Sequence, residues 1–124
     1  MSVTLDAGAL IALERGDRRL LVLVDEARKR GLPIAIPAGV VAQVWRDGRT
    51  QVALARLLSS SLIEIEPLDD ASARAAGVLC GASGTSDVID ASVVLCARRR
   101  GHSVVTSDPD DLERLDGNLT LVRV

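Results

Sequence analysis

The chain has 124 residues, 48% of them apolar and 26% charged, with a formal net charge of −2; these values fit one ordinary globular domain over residues 1–124. The slightly acidic balance argues against a generally basic nucleic-acid binder, and no run approaches the ~20 apolar residues needed to span a membrane. Tyr and Phe are absent and Trp45 is the only aromatic residue, so base-stacking platforms are excluded and the core falls to Val, Leu, Ile and Ala.

Short β-branched runs alternate with longer helical ones. Ser2–Leu5 reads as a strand, followed by a helix over Ala9–Arg15 and a second over Arg18–Arg30. That second helix carries Leu20, Leu21, Leu23, Val24 and Ala27 at helical spacing, and Gly31 is placed to stop it. Pro33–Ile36 is a short strand, and Pro37 suits the first turn of a helix running to about Trp45. Thr50 is placed to cap a helix carrying Val52, Leu54, Leu57 and Leu58. Those four side chains suit core packing by default, or an apolar groove or dimer face. Leu62–Pro67 alternates apolar and acidic residues, as a half-exposed strand does. An Ala-rich helix is expected over Asp69–Cys80, a loop over Gly81–Thr85 and a helix over Asp87–Arg100. His102–Thr106 is the next strand, Pro109–Leu115 a short helix and Leu119–Val124 a last strand. Cys80 and Cys96 lie in apolar helical stretches without metal-type spacing and read as buried, reduced thiols. The first apolar run lacks a basic flank and is broken by Asp6, so no signal peptide is expected and the cytoplasm is the expected compartment.

This alternation implies a mainly parallel sheet covered by helices on both faces. In such a sheet, strand C-termini and helix N-termini share one edge. Asp6 closes the first strand, Asp87 and Asp90 open a helix three residues apart, and Asp108 follows a later strand. Each acid also suits a plain role as a helix cap or first-turn residue. Taken jointly, they would repel one another unless a cation sat among them, and all-oxygen ligands suit Mg²⁺ or Mn²⁺. Val93, Val94 and Ala97 follow Asp90 on an apolar face, which places Asp90 toward the buried side and Asp87 at the rim. Asp110 and Asp111 read as exposed first-turn acids.

The stretches Val3-Thr4-Leu5-Asp6-Ala7-Gly8-Ala9-Leu10, Asp90-Ala91-Ser92-Val93-Val94-Leu95-Cys96-Ala97 and Val104-Val105-Thr106-Ser107-Asp108 agree in order and spacing with the PIN-domain family. Over essentially its full length the chain resembles that family's small VapC-type toxins. The resemblance implies a three-layer α/β/α sandwich with a central parallel sheet and a Mg²⁺- or Mn²⁺-dependent ribonuclease. It implies that Asp6, Asp90 and Asp108 are the metal-binding and catalytic acids, with Thr106 as a small hydroxyl residue beside them. It also implies an RNA substrate, a small antitoxin partner and a homodimer. One position departs from the family pattern. Where PIN nucleases usually carry Glu after the second strand, this chain has Gln43, which brings an oxygen but no charge, so weaker metal binding is expected. Asp87 is the acid placed to restore that charge, and Asp111 is a further secondary acid.

Arg46 and Arg49, after the Gln43 helix, are candidates for RNA phosphate contact, as is the run Arg98-Arg99-Arg100. His102, the only histidine, reads as a surface residue rather than a base. A receiver domain would need a lysine after its fifth strand, but the only lysine is Lys29 in an early helix. A haloacid-dehalogenase-type phosphatase would need an acid where Gly8 stands. The alternative that survives is a catalytically silent PIN fold acting as a binding module, with Gln43 as its mark.

Overall fold

A computed structural model describes residues 2–124. Five strands, β1 (Val3–Leu5), β2 (Ile34–Pro37), β3 (Ile63–Glu66), β4 (Ser103–Thr106) and β5 (Leu121–Arg123), form one sheet in the order β3-β2-β1-β4-β5. Every pairing is parallel. Seven helices connect them: α1 (Ala7–Glu14), α2 (Arg18–Arg30), α3 (Ala38–Val44), α4 (Val52–Ser59), α5 (Asp70–Ser83), α6 (Val88–Arg100) and α7 (Pro109–Leu115). The chain steps from β1 outward to β3, then crosses back to β4 on the far side of β1. Right-handed crossovers therefore place α1–α4 on one face and α5–α7 on the other. Helix packing largely follows this division, with α1 against α2, α3 and α4, and α6 against α5 and α7, while α3 also meets α6. The result is the three-layer α/β/α sandwich expected from the alternation.

The central strands are buried on both faces, as a parallel sheet requires. Val3, Leu5, Ile34, Ile36, Val104 and Val105 are all sealed from solvent. Helix α6 buries Ala91, Val93, Val94, Cys96 and Ala97, as a core helix does. Both cysteines are free and buried. No single helix among the described residues is long and apolar enough to cross a membrane; α5 and α6 reach that composition only as a pair bent by 108°.

Three local expectations change. Helix α5 does not stop at Cys80 but continues through Gly81 to Ser83, because the residue that takes the left-handed stop is Gly84, with φ of 71°. Thr50 does not cap α4; its hydroxyl donates to the Asp47 carbonyl, and Gln51 is the residue at the cap position. The Gln51 side chain instead knits the α3–α4 loop. Its oxygen accepts from the N–H groups of Arg46 (2.6 Å) and Asp47 (2.9 Å), and its amide donates to the Val44 carbonyl (2.9 Å) and to Glu14 (3.2 Å). Trp45 ends α3 on this loop at 37% exposure. Gly48 lies so close to its ring that a β-carbon there would come within 2.9 Å. His102, in turn, is half-buried rather than a plain surface residue, and its Nδ1 shares a 3.1 Å hydrogen bond with the buried Thr4 hydroxyl.

Candidate active site

Strand β1 is where the strand order reverses, with β2 on one side and β4 on the other. At such a point the two crossovers leave toward opposite faces and open a crevice at the strand C-termini. Asp6 follows β1 directly, and Asp108 follows β4 by two residues. Helix α6 brings Asp87 and Asp90 to the same edge from the other face.

Asp6 is 7% exposed. It caps α1, its Oδ1 accepting from the Ala9 N–H at 2.9 Å. Thr106 is fully buried at the end of β4. Its hydroxyl accepts from the Asp108 N–H at 2.9 Å, and its nearness favours the ionised form of Asp6. One side chain thus bears on both of the acids that follow β1 and β4. Asp108 occupies the cap position of α7 but makes no side-chain capping bond.

Two close approaches set the opposing elements. A β-carbon on Gly8 would lie 2.0 Å from the Ser107 Oγ and 3.2 Å from the Ser107 backbone N, so the first turn of α1 and the loop after β4 meet closely there. One on Gly39 would lie 2.4 Å from the Ile89 Cδ1, so the start of α3 leaves room for the first turn of α6. That turn is built by short-range bonds. Thr85 Oγ1 accepts from the Asp87 N–H, and Asp87 Oδ1 accepts from the Asp90 N–H at 2.9 Å. Asp87 is exposed and Asp90 is half-buried, as the apolar face after Asp90 implied.

The acids influence one another. Burial, then the charge of Asp87, and then those of Asp6 and Asp111, push the Asp90 carboxyl up to about 7. Burial also raises Asp6, and the charge of Asp108 adds to it, against the hydrogen bonds from Thr106 and Ala9 that favour its ionised form. The Asp108 charge, with a contribution from Asp87, raises Asp111. Five carboxylates therefore share one negative field at the crevice.

Among the described residues no three His, Cys, Asp or Glu side chains form a ready-made metal cage. The donor set nonetheless suits Mg²⁺ or Mn²⁺. It is all oxygen, it is destabilised by its own charge, and Mg²⁺ is usually held by one or two carboxylates with water and substrate phosphate rather than by an all-protein cage.

Gln43 lies exposed on α3. Arg46 is exposed but donates to the carbonyls of Ala42 and Trp45, and Arg49 pairs with Asp47, so both are tied to their own loop. The run after α6 is also engaged. Arg98 binds Asp116 at 2.9 Å, Arg99 binds Glu66, and Arg100 binds Glu64 and Glu66. Sequence reading could not anticipate these pairs, because the partners come from β3 and from the turn after α7.

The model of the PIN domain matches residues 3–118. No curated protein matches the chain. Among solved structures, VapBC2 from Rickettsia felis bound to a DNA fragment from its promoter is similar, with a TM-score of 0.73 at 17% identity over 100% of this chain and 99% of that one. Mycobacterium tuberculosis VapC20, described as a Sarcin-Ricin loop cleaving toxin, is similar with a TM-score of 0.66 at 16% identity, covering 98% and 99% of the two chains. VapBC-5 from the same organism gives a TM-score of 0.58 at 25% identity, covering 99% and 98%.

Proposed function

This chain belongs to the PIN-domain family, and on that premise we propose that it is a metal-dependent ribonuclease, one PIN unit over residues 1–124 acting in the cytoplasm as the toxin of a toxin–antitoxin pair. The observation that carries the reading is the carboxylate field at the strand-order reversal, where Asp6, Asp90 and Asp108 come from three separate elements. These three would hold Mg²⁺ or Mn²⁺, with Asp87 and Asp111 adding negative charge around them. When bound, the cation supplies a more acidic water and offsets the charge that builds on a phosphate under attack.

The protein's own contribution is positional. Thr106 favours the ionised form of Asp6 and anchors the backbone of Asp108, so one residue serves both flanking acids. Asp87 fixes the first turn of α6 and with it the Asp90 backbone. Gln43 offers a neutral amide able to orient a water without adding charge. Similarity to VapBC2 and VapBC-5 supports a small antitoxin as partner, and the family likeness supports a homodimer.

Incubating the purified protein with total RNA, with Mn²⁺ or with chelator, tests the reading. Cleavage that needs the cation and disappears in Asp90→Asn supports it. If only Gln43→Glu cleaves, the second reading holds instead, a binding module with a silent site, for which the neutral residue at position 43 is the specific observation. No cleavage by any form in the presence of Mn²⁺ refutes the nuclease assignment for that RNA pool.

A further inference from the structure

Phosphate contacts require arginines that no carboxylate already holds. Unlike Arg49, Arg98, Arg99 and Arg100, several arginines among the described residues have no acidic partner, Arg15, Arg18, Arg19 and Arg123 among them. These four line two adjoining clefts. The first, about 460 Å³, runs from Gly8 and Ser107 past Ile11 to Arg15 and Val124. The second, about 380 Å³, continues from Val124 to Arg18, Arg19 and Arg123 over an apolar floor that includes Val22 and Val122. The near end is at Gly8 and Ser107, which lie two residues along the chain from Asp6 and one from Asp108. Arg123 is the register partner of Thr106, and neighbouring strands are ~4.8 Å apart, so its backbone lies one strand away from Thr106.

Stability does not explain this charge. Arg18 and Arg19 occupy the first turn of α2, which carries no acid. A helix N-terminus disfavours cations there. Asp17, which lines the first cleft, caps α2, its Oδ1 accepting from the Leu20 N–H at 3.1 Å. With one aromatic residue in the whole chain, binding of a single strand has to rest on phosphate contacts rather than stacking.

We infer that the cleft between α2 and β5, lined by Arg15, Arg18, Arg19 and Arg123, is the track along which a single-stranded RNA leaves the acidic crevice, its phosphates held by these arginines. The inference rests on the ribonuclease reading for the crevice itself, and its test does not use turnover. Binding of a fluorescein-labelled single-stranded RNA is read by anisotropy, in chelator, on the full chain carrying Asp90→Asn. In that background the combined Arg18→Ala, Arg19→Ala and Arg123→Ala variant should bind at least about tenfold more weakly at low salt. Its salt slope should fall by about 2, near 0.7 for each phosphate that the removed arginines neutralise. The matching lysine variant should keep most of the affinity, which separates the effect of charge from a damaged fold.

Unchanged RNA affinity in the alanine variant overturns the track. So does an equal loss of affinity in the lysine variant. A loss of poly-glutamate binding with RNA binding intact overturns it in favour of an acidic polypeptide partner. Metal-dependent cleavage by the Asp90-bearing protein, scored separately, keeps the nuclease reading standing if the track alone fails.

Discussion

Asp90→Asn should stabilise the protein at high pH and leave it nearly unchanged at low pH. Burial and the charges of Asp87, Asp6 and Asp111 raise this carboxyl from 3.8 to about 7. That difference corresponds to roughly 4 kcal/mol at 1.36 kcal/mol per pH decade. Asp90 is only half-buried, and solvent screening reduces the cost to ~1–2 kcal/mol. A charged side chain in the first turn of α6 also gains ~0.3–1 kcal/mol from the helix N-terminus, which Asn gives up. The net gain is about 1 kcal/mol, or about 3–6 °C in Tm for a chain of this size. The folded-state pKa is raised, so the contribution of Asp90 to stability is complete below its ordinary pKa and is lost as pH rises through 7. The advantage of Asn must therefore appear between about pH 4 and pH 7 and level off above. Far-UV dichroism melts in chelator at about pH 8 and about pH 4 measure it. An equal shift at both values, or no gain at the higher one, would refute the account of mutual repulsion.

Millimolar Mg²⁺ should raise the Tm of the parent chain and move the Asp90→Asn variant much less, since a ligand stabilises by RT ln(1 + [L]/Kd); equal shifts would disconnect Asp90 from cation binding. Thr106→Val removes a buried hydroxyl that serves Asp6 and the Asp108 N–H, so it should cost about 1–3 kcal/mol in denaturant titrations and lower cleavage as well. Gly8→Ala should cost about 1–2 kcal/mol by overpacking against Ser107, and Ser107→Ala should recover part of that loss in a double-mutant cycle. Gln51→Ala should cost about 2 kcal/mol, because four hydrogen bonds end on that one amide; a change below about 0.5 kcal/mol would show that the loop holds without it.

The strand and helix alternation was legible because it is a matter of period, and α2, with Leu20, Val24 and Ala27 buried on one face, carries it most plainly. The capping acids were legible too, for Asp6 and Asp87 stand at helix starts where a side-chain oxygen is needed. Features that depend on the strand order were not. Arg98, Arg99 and Arg100 read as a free basic run until β3 and the turn after α7 brought Glu64, Glu66 and Asp116 to them. Arg18, Arg19 and Arg123, far apart in sequence, show no pattern until α2 lies against β5. The end of α5 was misplaced because Gly81 looks like a stop, yet a glycine facing open space can sit within a helix when a later one takes the left-handed turn. Gln51 carried no signal of its bridging role, since a side-chain amide reaching back to backbone groups leaves no periodic trace.

The ring of Trp45, packed against Gly48 on the loop that Gln51 holds, is the chain's one strong fluorophore. Intrinsic emission from this protein is consequently a single-point signal, and its location is the junction between the Gln43 helix and α4 rather than the core. Emission that changes before the far-UV dichroism during unfolding would report the release of that loop alone, so agreement between the two signals is itself a measure of how cooperatively the junction is joined to the sheet.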